Sequence, residues 1–300
     1  MEGFSIIIAT LNRPAYLAET ARMLLKQEYE GRFEIIVVDQ SDLRDEAFET
    51  EFAGSDIVRY YHITSFRGVP HARNFGCAKS RYDYLLFLDD DIQTTDSHLL
   101  DAHEEFLGRP VVAIVAGRVT QVNSPNYDAR HTGSFNKFLA HAYGAFYKEQ
   151  SGYVLHALGA NFSVKKHLFL QSGGSDEHYG VGSALGEETD LCMRIGALGY
   201  RIYFNPKAHV LHLMAPSGGC RVKDPEYSFY SMIHNRTITI HRFCRFYYWP
   251  TAYMYNAYLT LAYSRINHQS FLGAFLRGTR DGIRDYRKGV KNRFRSPDSK

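Results

Sequence analysis

The sequence predicts an α/β fold with a mostly parallel sheet that carries helices on both faces. In the first 120 residues, short and nearly continuous apolar runs alternate with segments of helical periodicity. Such alternation is typical of parallel sheets, whose strands are buried on both faces. Three of the runs end in polar or acidic residues, and ligands of these sheets bind beyond the carboxyl ends of the strands. A ligand site is therefore expected at that edge.

Five strands and three helices are predicted in this part of the chain. The strands are short runs rich in β-branched and aromatic residues: Phe4–Ala9, Phe33–Val38, Ile57–His62, Tyr84–Leu88 and Val111–Ala116. The helices are expected where apolar residues recur three or four positions apart or where proline or glycine marks a start: from Pro14 onward, over Pro70–Lys79 and over Ser97–Leu107.

The next hundred residues are less regular. Residues 121–157 are rich in Asn, Tyr, His and Gly without clear periodicity, and an irregular insertion is expected there. The elements predicted after it are regular structure over Ala157–Val164, a Gly-rich loop from Ser172 to Gly186, a helix over Glu187–Leu198 that ends at Gly199, and strands over Tyr200–Phe204 and Ala208–Leu213 around Pro206.

Composition excludes several classes of protein. A chain of 300 residues with 45% hydrophobic and 22% charged residues is not disordered, collagen-like or a coiled-coil rod. Its four cysteines lie far apart without a C-x-x-C pair, which excludes a disulfide scaffold or a zinc ribbon and favours a reducing compartment. The chain start lacks a signal-peptide pattern. The sequence contains no stretch of 18 apolar residues, so a membrane span is not expected. A cytoplasmic location is expected.

Charge is distributed unevenly along the chain. Residues 277–300 carry a net charge of +6 within a chain of net +3, so the remainder has a net charge of −3. An acidic body argues against nucleic acid as a partner. The basic tail remains available for an anionic surface.

The run Leu88-Asp89-Asp90-Asp91-Ile92 is the strongest local signal. Three adjacent carboxylates repel one another unless a cation neutralises them. Oxygen ligands at this density suit Mg²⁺ or Mn²⁺, especially when a diphosphate completes the coordination. The alternative is a solvated acidic turn that caps the next helix. The position directly after an apolar strand favours the metal.

Two further segments carry groups suited to acid–base or metal chemistry. Glu187 and Glu188 begin a helix, where the helix dipole alone favours acidic residues. They also follow a Gly-rich loop, from which a general base would reach a bound molecule. His212 alternates along its strand with apolar residues, so it is either a hydrogen-bonded core histidine or a nitrogen ligand beside the Asp run.

The segment Arg67-Gly68-Val69-Pro70-His71-Ala72-Arg73-Asn74 joins a loop to a helix. Glycine at that junction permits close approach of a ligand, and Arg73 has the chemistry to contact a base, a ribose or a phosphate. The alternative is a surface arginine on an amphipathic helix.

Taken together, these motifs resemble one family. S-I-I-I-A-T-L-N-R, V-V-D-Q-S, A-R-N-x-G, D-D-D-I, G-x-N and G-E-E-T-D-L occur in the order seen in family 2 inverting glycosyltransferases of the GT-A fold. The resemblance covers roughly residues 4–215. It implies transfer of a sugar from a nucleotide-diphosphate donor to an acceptor hydroxyl, usually with a divalent metal. The acceptor would be a glycan, a polysaccharide or a lipid-linked sugar.

The resemblance also implies a division of the chain. Residues 1–220 would form the GT-A catalytic domain, with the nucleotide-binding half at 1–120 and the acceptor half at 121–220. Selectivity for donor and acceptor is expected in residues 121–186, and residues 221–300 would form a helical, aromatic and basic extension.

Individual roles follow from the matched positions. The residues that would line the nucleotide pocket are Thr10, Asn12, Asp39 and Arg73, with Asp39 accepting a hydrogen bond from the base. In the acidic run, Asp91 would bind the metal, Asp89 would contact the ribose or the metal, and Asp90 is a further candidate ligand. His212 would complete the metal site, and Glu188 would act as the catalytic base.

The sequence departs from the family pattern at three places. Ala9 replaces the proline before Thr10, the base is Glu188 where an aspartate is usual, and Ser175 replaces the aromatic residue of the G-G-F-D-E loop. The longer base would shift the acceptor by about one methylene. The third change would alter the acceptor site.

The segment Phe246–Ser264 contains no charged residue, but it has six tyrosines and the only tryptophan. It is too polar for a bilayer span, and such aromatic residues favour the membrane–water interface. With the basic tail, residues 246–300 are expected to contact an anionic inner leaflet peripherally. The alternative is aromatic helices that pack over the catalytic domain or form a homodimer contact.

Two rival functions remain. A sugar nucleotidyltransferase would carry a Gly-rich basic loop after the first strand, whereas residues 9–13 contain no glycine. A non-catalytic, glycosyltransferase-like binding or scaffold protein would tolerate loss of the carboxylates. The acidic run and Glu188 are nevertheless all present.

Overall fold

The structure, a computed structural model, describes residues 2–94, 96–122 and 131–292. Its strands are β1 Phe4–Thr10, β2 Phe33–Asp39, β3 Val58–His62, β4 Tyr84–Asp89, β5 Ile92–Gln93, β6 Val112–Gln121, β7 Ser134–Asn136, β8 His141–Tyr143, β9 Gly152–Val154, β10 Asn161–Lys165 and β11 Arg201–His212. Its α-helices are α1 Pro14–Leu24, α2 Glu46–Phe52, α3 Val69–Lys79, α4 Leu99–Leu107, α5 Lys166–Gln171, α6 Glu187–Ala197, α7 Pro225–Phe243, α8 Trp249–Ile266 and α9 Leu272–Arg287.

One large sheet organises the described chain, with the strand order β3-β2-β1-β4-β10-β6-β11-β5 and with β9 beside β11. Strands β3, β2, β1 and β4 are parallel, as are β6 and β11. The prediction of a mostly parallel α/β sheet is confirmed. Strand β10 differs, because it runs antiparallel between β4 and β6. The sequence does not reveal this direction, because a buried apolar strand has the same composition whether it runs parallel or antiparallel to its neighbours.

The two faces of the sheet pack against different helices. Along β1, Ile6 and Ile8 belong to one core with α1, α2 and α4, whereas Ile7 belongs to a second core with α3, α5 and α6. This division follows from the alternation of side chains along a strand. The helices on both faces leave the carboxyl ends of the strands accessible.

The pairing of the first strands brings the predicted site residues together. Thr10 pairs with Asp39, and Ala9 pairs with Asp89. The three strands therefore end at the same edge, so the polar residues at their ends lie close together. This arrangement is fixed by the register in which the apolar strands pair, and not by the polar residues themselves.

Several elements differ from the prediction. The two short strands around Pro206 form the single strand β11, whose pairing with β6 is irregular between Asn205 and His209. Proline has no N–H for the ladder, which accounts for the interruption. The region predicted to be irregular contains three short strands, β7 to β9, while residues 123–130 lie outside the described part. Helix α2, with Phe48 and Phe52 buried on one face, was not predicted.

Helices α7 to α9 form the predicted helical extension. The Tyr179 hydroxyl lies 2.9 Å from Thr239 Oγ1, and the Asn235 amide donates to the Tyr179 carbonyl at 3.2 Å. Thus α7 packs directly on the loop that precedes α6. Among the described residues, none of the helices combines the length and hydropathy needed to cross a bilayer.

Candidate active site

A cavity of about 600 Å³ lies at the carboxyl ends of β1 and β4. Six residues predicted from the sequence line it, namely Thr10, Arg73, Asp89, Asp90, Glu188 and His212. A neighbouring cavity of about 400 Å³ shares Thr10 and is lined by the predicted residues Asn12 and Asp39. Asp91 is fully buried beneath this site.

Three side chains converge as a candidate metal site. One ligand atom from each of Asp89, Asp91 and His212 lies within 4.8 Å of the others. His212 Nε2 is 3.0 Å from Asp91 Oδ1 and 3.7 Å from Asp89 Oδ2. Among the described residues, the buried Oδ1 of Asp91 has no hydrogen-bond partner of suitable geometry. A site of two carboxylates and an imidazole, in which one carboxylate oxygen lacks a hydrogen-bond partner, fits Mn²⁺ or Mg²⁺.

Opposing effects set the charge of this cluster. Burial raises the pKa of Asp91, but His212, the Ala215 N–H and Arg13 outweigh it, so the net shift is downward. Burial lowers the pKa of His212, and the two aspartates outweigh that effect and raise it. These shifts favour an ionised Asp91, the form that binds a cation, whereas His212 would have to release its proton to act as a ligand.

Asp90 points to a different set of partners. Its Oδ2 accepts a hydrogen bond of 2.6 Å from the Thr10 hydroxyl, and its Oδ1 lies 2.8 Å from Arg13 Nη1. Burial raises the pKa of Asp90 to about 6 despite Arg13. Within the acidic run, Asp89 and Asp91 therefore belong to the candidate metal site, whereas Asp90 pairs with Thr10 and Arg13.

Arg13 is a site residue that the sequence analysis did not identify. Its guanidinium spans Asp90 and Asp91, at 2.8 and 3.3 Å, and donates to the carbonyl of Ser217 at 2.8 Å. It therefore offsets part of the charge of the acidic run and ties the loop after β11 to the loop after β1. The sequence feature that could have identified Arg13 is its position immediately after Asn12, just beyond the end of a strand.

Arg73 lies at the floor of the cavity. It is buried, forms an ion pair with Glu187, and donates to the Gly159 carbonyl at 2.8 Å. Its guanidinium carbon is 5.2 and 4.9 Å from the ring centroids of Phe87 and Phe162. The alternative of a surface arginine is thus wrong. Arg73 faces the cavity and simultaneously holds the first turn of α6.

Glu188 follows Glu187 at the beginning of α6. Gly186 precedes them with φ +82°, a conformation that favours glycine. Glu187 is buried against Arg73, whereas Glu188 lines the cavity. Burial raises the pKa of Glu188, and the nearby Arg73 opposes this shift. A raised pKa is suited to a carboxylate that accepts a proton near neutral pH.

Asp39 and Asn12 shape the neighbouring cavity. Asp39 Oδ1 accepts from the Ser41 N–H at 2.8 Å, and its Oδ2 accepts from the Tyr60 hydroxyl at 2.6 Å. Asn12 adopts a φ of +55° and exchanges hydrogen bonds with Asp42. These contacts fix the orientation of Asp39, while each carboxylate oxygen keeps a second lone pair for a ligand.

A buried network connects α6 to the carboxy-terminal helices. Arg242 on α7 donates to Asp190 on α6, and its Nη2 donates to Asp176 at 2.8 Å. The backbone N–H of Lys291 also donates to Asp176 at 3.1 Å, and the Lys291 carbonyl accepts from the Glu177 N–H at 2.8 Å. The loop before α6 is thus held from both sides.

Replacing Arg242 by Gln is expected to destabilise the fold by about 3 kcal/mol, because buried Asp176 loses its arginine and buried Asp190 keeps only Arg194. Urea denaturation would measure the loss. The exposed Arg245, whose Nη1 contacts the Tyr247 hydroxyl, gives the matched control Arg245→Gln. That change should stay within about 0.5 kcal/mol. Equal stability of the two variants would contradict the role of the network.

The same network predicts a pH dependence. Burial alone would raise the pKa of Asp176, but His178, Arg242 and two backbone N–H groups lower it to about 2. The contribution of Asp176 is therefore fully present above its unfolded pKa and is lost as the pH falls from about 4 to about 2. In Arg242→Gln the native-state pKa of Asp176 should lie closer to its unfolded value, so this loss should be smaller and should end at a higher pH.

Comparisons with known proteins identify a family for this chain. The family model "Glycosyl transferase family 2" matches residues 5–169. A glucosyl-dolichyl phosphate glucuronosyltransferase of Haloferax volcanii is 25% identical over 217 residues, which are 69% of this chain and 68% of that protein. The chain spans only 26% and 17% of two other curated relatives.

Two solved structures share the fold. The mannosyltransferase PcManGT from Pyrobaculum calidifontis, in complex with GDP-Man and Mn²⁺, matches with a TM-score of 0.58 at 16% identity, over 96% of this chain and 76% of that one. GalNAc-T7 with UDP, GalNAc and Mn²⁺ matches with a TM-score of 0.63 at 13% identity, over 97% and 58%. The chain has the GT-A fold and belongs to family 2 of the glycosyltransferases.

Proposed function

We propose that this glycosyltransferase transfers a sugar with inversion, from a nucleotide-diphosphate sugar to an acceptor hydroxyl, in a single displacement. One observation carries the proposal. A cavity at the strand ends joins a candidate metal cluster, Asp89, Asp91 and His212, to a carboxylate of raised pKa, Glu188. These are the groups needed to activate a leaving diphosphate and an attacking hydroxyl.

The nucleotide would occupy the two adjoining cavities. Thr10 lines both of them, and Asn12 and Asp39 line the smaller one. Asp39 is held in place by the Ser41 N–H and the Tyr60 hydroxyl, so it can accept an N–H of the base. Arg67 and Arg221 also line the larger cavity, where they would attract the diphosphate.

Mn²⁺ or Mg²⁺ would be held by Asp91, Asp89 and His212. When bound, the ion would supply Lewis-acid stabilisation of the charge that develops on the departing diphosphate. Arg13, which contacts both Asp90 and Asp91, keeps the acidic run from carrying its full charge. Asp90, paired with Arg13 and Thr10, would orient Thr10 rather than bind the ion.

Glu188 would act as the general base. It would accept the proton of the acceptor hydroxyl as the oxygen attacks the anomeric carbon and the bond to the diphosphate breaks. Attack from the face opposite the leaving group inverts that carbon, and no covalent enzyme intermediate forms. Arg73 and Glu187 hold the helix turn that carries Glu188, so its carboxylate would stay in position to reach the acceptor hydroxyl.

We propose that the acceptor is a lipid-linked sugar and that the enzyme works peripherally at the inner face of the cell membrane. The Haloferax relative is named for a dolichyl-phosphate-linked acceptor. The aromatic, uncharged segment Phe246–Ser264 and the basic residues after it are consistent with such a location.

Thermal stability against a panel of nucleoside diphosphates, each with and without Mn²⁺, tests this function. A ligand that binds only the folded state raises the melting temperature, by an amount equivalent to about 2.7 kcal/mol at 100 times its Kd. One nucleotide is expected to stabilise the protein only with Mn²⁺. The absence of a shift with every nucleotide, for a folded protein, would instead favour a scaffold role.

A further inference from the structure

Helix α8 exposes an apolar face. Its residues Ala252, Asn256 and Thr260 are buried at a spacing of four. The face turned to solvent presents Met254, Tyr258 and Leu261, which are 71%, 62% and 72% exposed. Single exposed apolar side chains are ordinary, but a row of large ones on one helix face indicates an interaction surface.

The apolar face continues into α9. Ile266 at the end of α8 is 74% exposed, and Leu272 and Leu276 in the first turns of α9 are 55% and 58% exposed. The intervening Phe271 is buried against Phe229 of α7, so the turn between the helices is anchored. We name the α8–α9 surface by its six exposed residues: Met254, Tyr258, Leu261, Ile266, Leu272 and Leu276.

Positive charge follows this surface along α9. Arg277, Arg280, Arg284 and Arg287 are all exposed in the roughly three turns after Leu276. Arg277 forms an ion pair with the partly exposed Glu226 of α7, and the other three arginines have no ion-pair partner among the described residues of α7. The acidic residues of α9, Asp281 and Asp285, are buried where α9 packs against α7. There they contact Tyr230 and His234 of α7. Arg280 and Arg284 form ion pairs with these carboxylates, yet both arginines remain largely exposed.

We propose that the α8–α9 surface rests on an anionic lipid bilayer, with its apolar side chains in the interface and the α9 arginines against lipid phosphates. Charge complementarity selects this partner. An exposed α9 face whose charges are all basic matches a leaflet of anionic lipids. A second copy of the chain, placed by a two-fold axis, would bring the same arginines together.

The proposed arrangement gives the C-terminal helices a role distinct from the chemistry. Helix α7 connects α6, through Arg242 and Asp190, to the helix pair that would contact the lipid. The orientation of the active site relative to the bilayer is then set by packing within one chain. The inference rests on the proposed function only for the lipid-linked acceptor, because binding to vesicles requires no catalysis.

Vesicle sedimentation tests the surface directly. The protein is expected to bind vesicles of phosphatidylglycerol and phosphatidylcholine and to bind weakly to phosphatidylcholine alone. Added salt should weaken the binding to the anionic vesicles. The double variant Met254→Glu with Leu261→Glu should weaken it by about tenfold or more, because two apolar side chains no longer enter the interface. Both positions are exposed, so folding should be unaffected.

Two controls make the result specific. Leu155→Glu changes an exposed leucine outside the surface and should leave vesicle binding unchanged. The pair Arg280→Gln with Arg287→Gln should weaken binding to anionic vesicles and should leave the weak binding to neutral ones unaffected. Equal binding by all variants would overturn the proposal. A dimer in light scattering that Leu261→Glu disrupts, without vesicle binding by the unchanged protein, would also overturn it.

The test separates this inference from the proposed function. The metal-dependent stabilisation by a nucleotide should persist in Met254→Glu with Leu261→Glu, since neither residue lines the cavities. Vesicle binding without any nucleotide effect would support the surface and refute the transferase chemistry. A nucleotide effect without vesicle binding would refute the surface alone.

Discussion

The Glu188→Gln variant is expected to transfer sugar about 10²- to 10⁴-fold more slowly than the unchanged protein, because the amide cannot accept the proton of the acceptor hydroxyl. The shape of the side chain is preserved, so binding of nucleotide and Mn²⁺ should remain. Release of nucleoside diphosphate from the donor sugar, with the nucleotide identified by thermal stabilisation, would measure the rate.

The neighbouring carboxylate supplies the comparison. Glu187 is buried and paired with Arg73, so Glu187→Gln should reduce stability as well as rate. Glu188→Gln should reduce the rate with little change in melting temperature. Full activity of Glu188→Gln would remove Glu188 from the role of base.

The same group determines how the rate depends on pH. Burial raises the pKa of Glu188 above its ordinary value of 4.5. The carboxylate form, which the mechanism requires, is therefore lost at a higher pH than for an exposed glutamate. The rate should fall on the acid side at that raised pKa, and the acid limb should disappear in Glu188→Gln.

Asp91→Asn is the second change with a large expected effect. The amide retains a similar shape but loses the charge at the centre of the candidate metal cluster. We expect the apparent affinity for Mn²⁺ in the presence of nucleotide to fall by about 100-fold or more, since even the loss of an outer-shell partner costs about 10- to 100-fold. A Mn²⁺ titration followed by melting temperature would measure it.

Asp90→Asn is the matched control within the same run. Asp90 contacts Arg13 and Thr10 rather than His212, so its variant should lose stability but keep the dependence on Mn²⁺. The opposite outcome, with metal dependence lost in Asp90→Asn and kept in Asp91→Asn, would show that the assignment within the acidic run is wrong.

The sequence predicts the strand ends of this site well because they depend on local patterns. Buried strands such as β1 and β4 are continuous apolar runs, and each stops where polar residues begin. The parallel register then brings Thr10, Asp39 and Asp89 to one edge. Their grouping therefore follows from fold class alone, before any side-chain contact is known.

The contacts missed by the sequence analysis are of another kind. Arg242 and Asp176 are 66 positions apart, and no local spacing predicts their pairing. The direction of β10 is likewise set by its neighbours rather than by its composition. Helix α2 was detectable, since Phe48 and Phe52 stand four positions apart after the capping residue Asp45. Because α2 has only seven residues, its apolar periodicity extends over too short a stretch to predict a helix clearly.

The contact of Lys291 with Asp176 and Glu177 has a consequence for biosynthesis. The loop before α6 is hydrogen-bonded by a backbone segment more than a hundred positions later in the chain. During translation the large sheet can assemble first, because its strands end at His212. The loop beside Glu188 reaches its final form only after residue 291 has left the ribosome. A nascent chain can therefore assemble the strand ends that carry Thr10, Asp39 and Asp89 before the loop beside Glu188 is fixed.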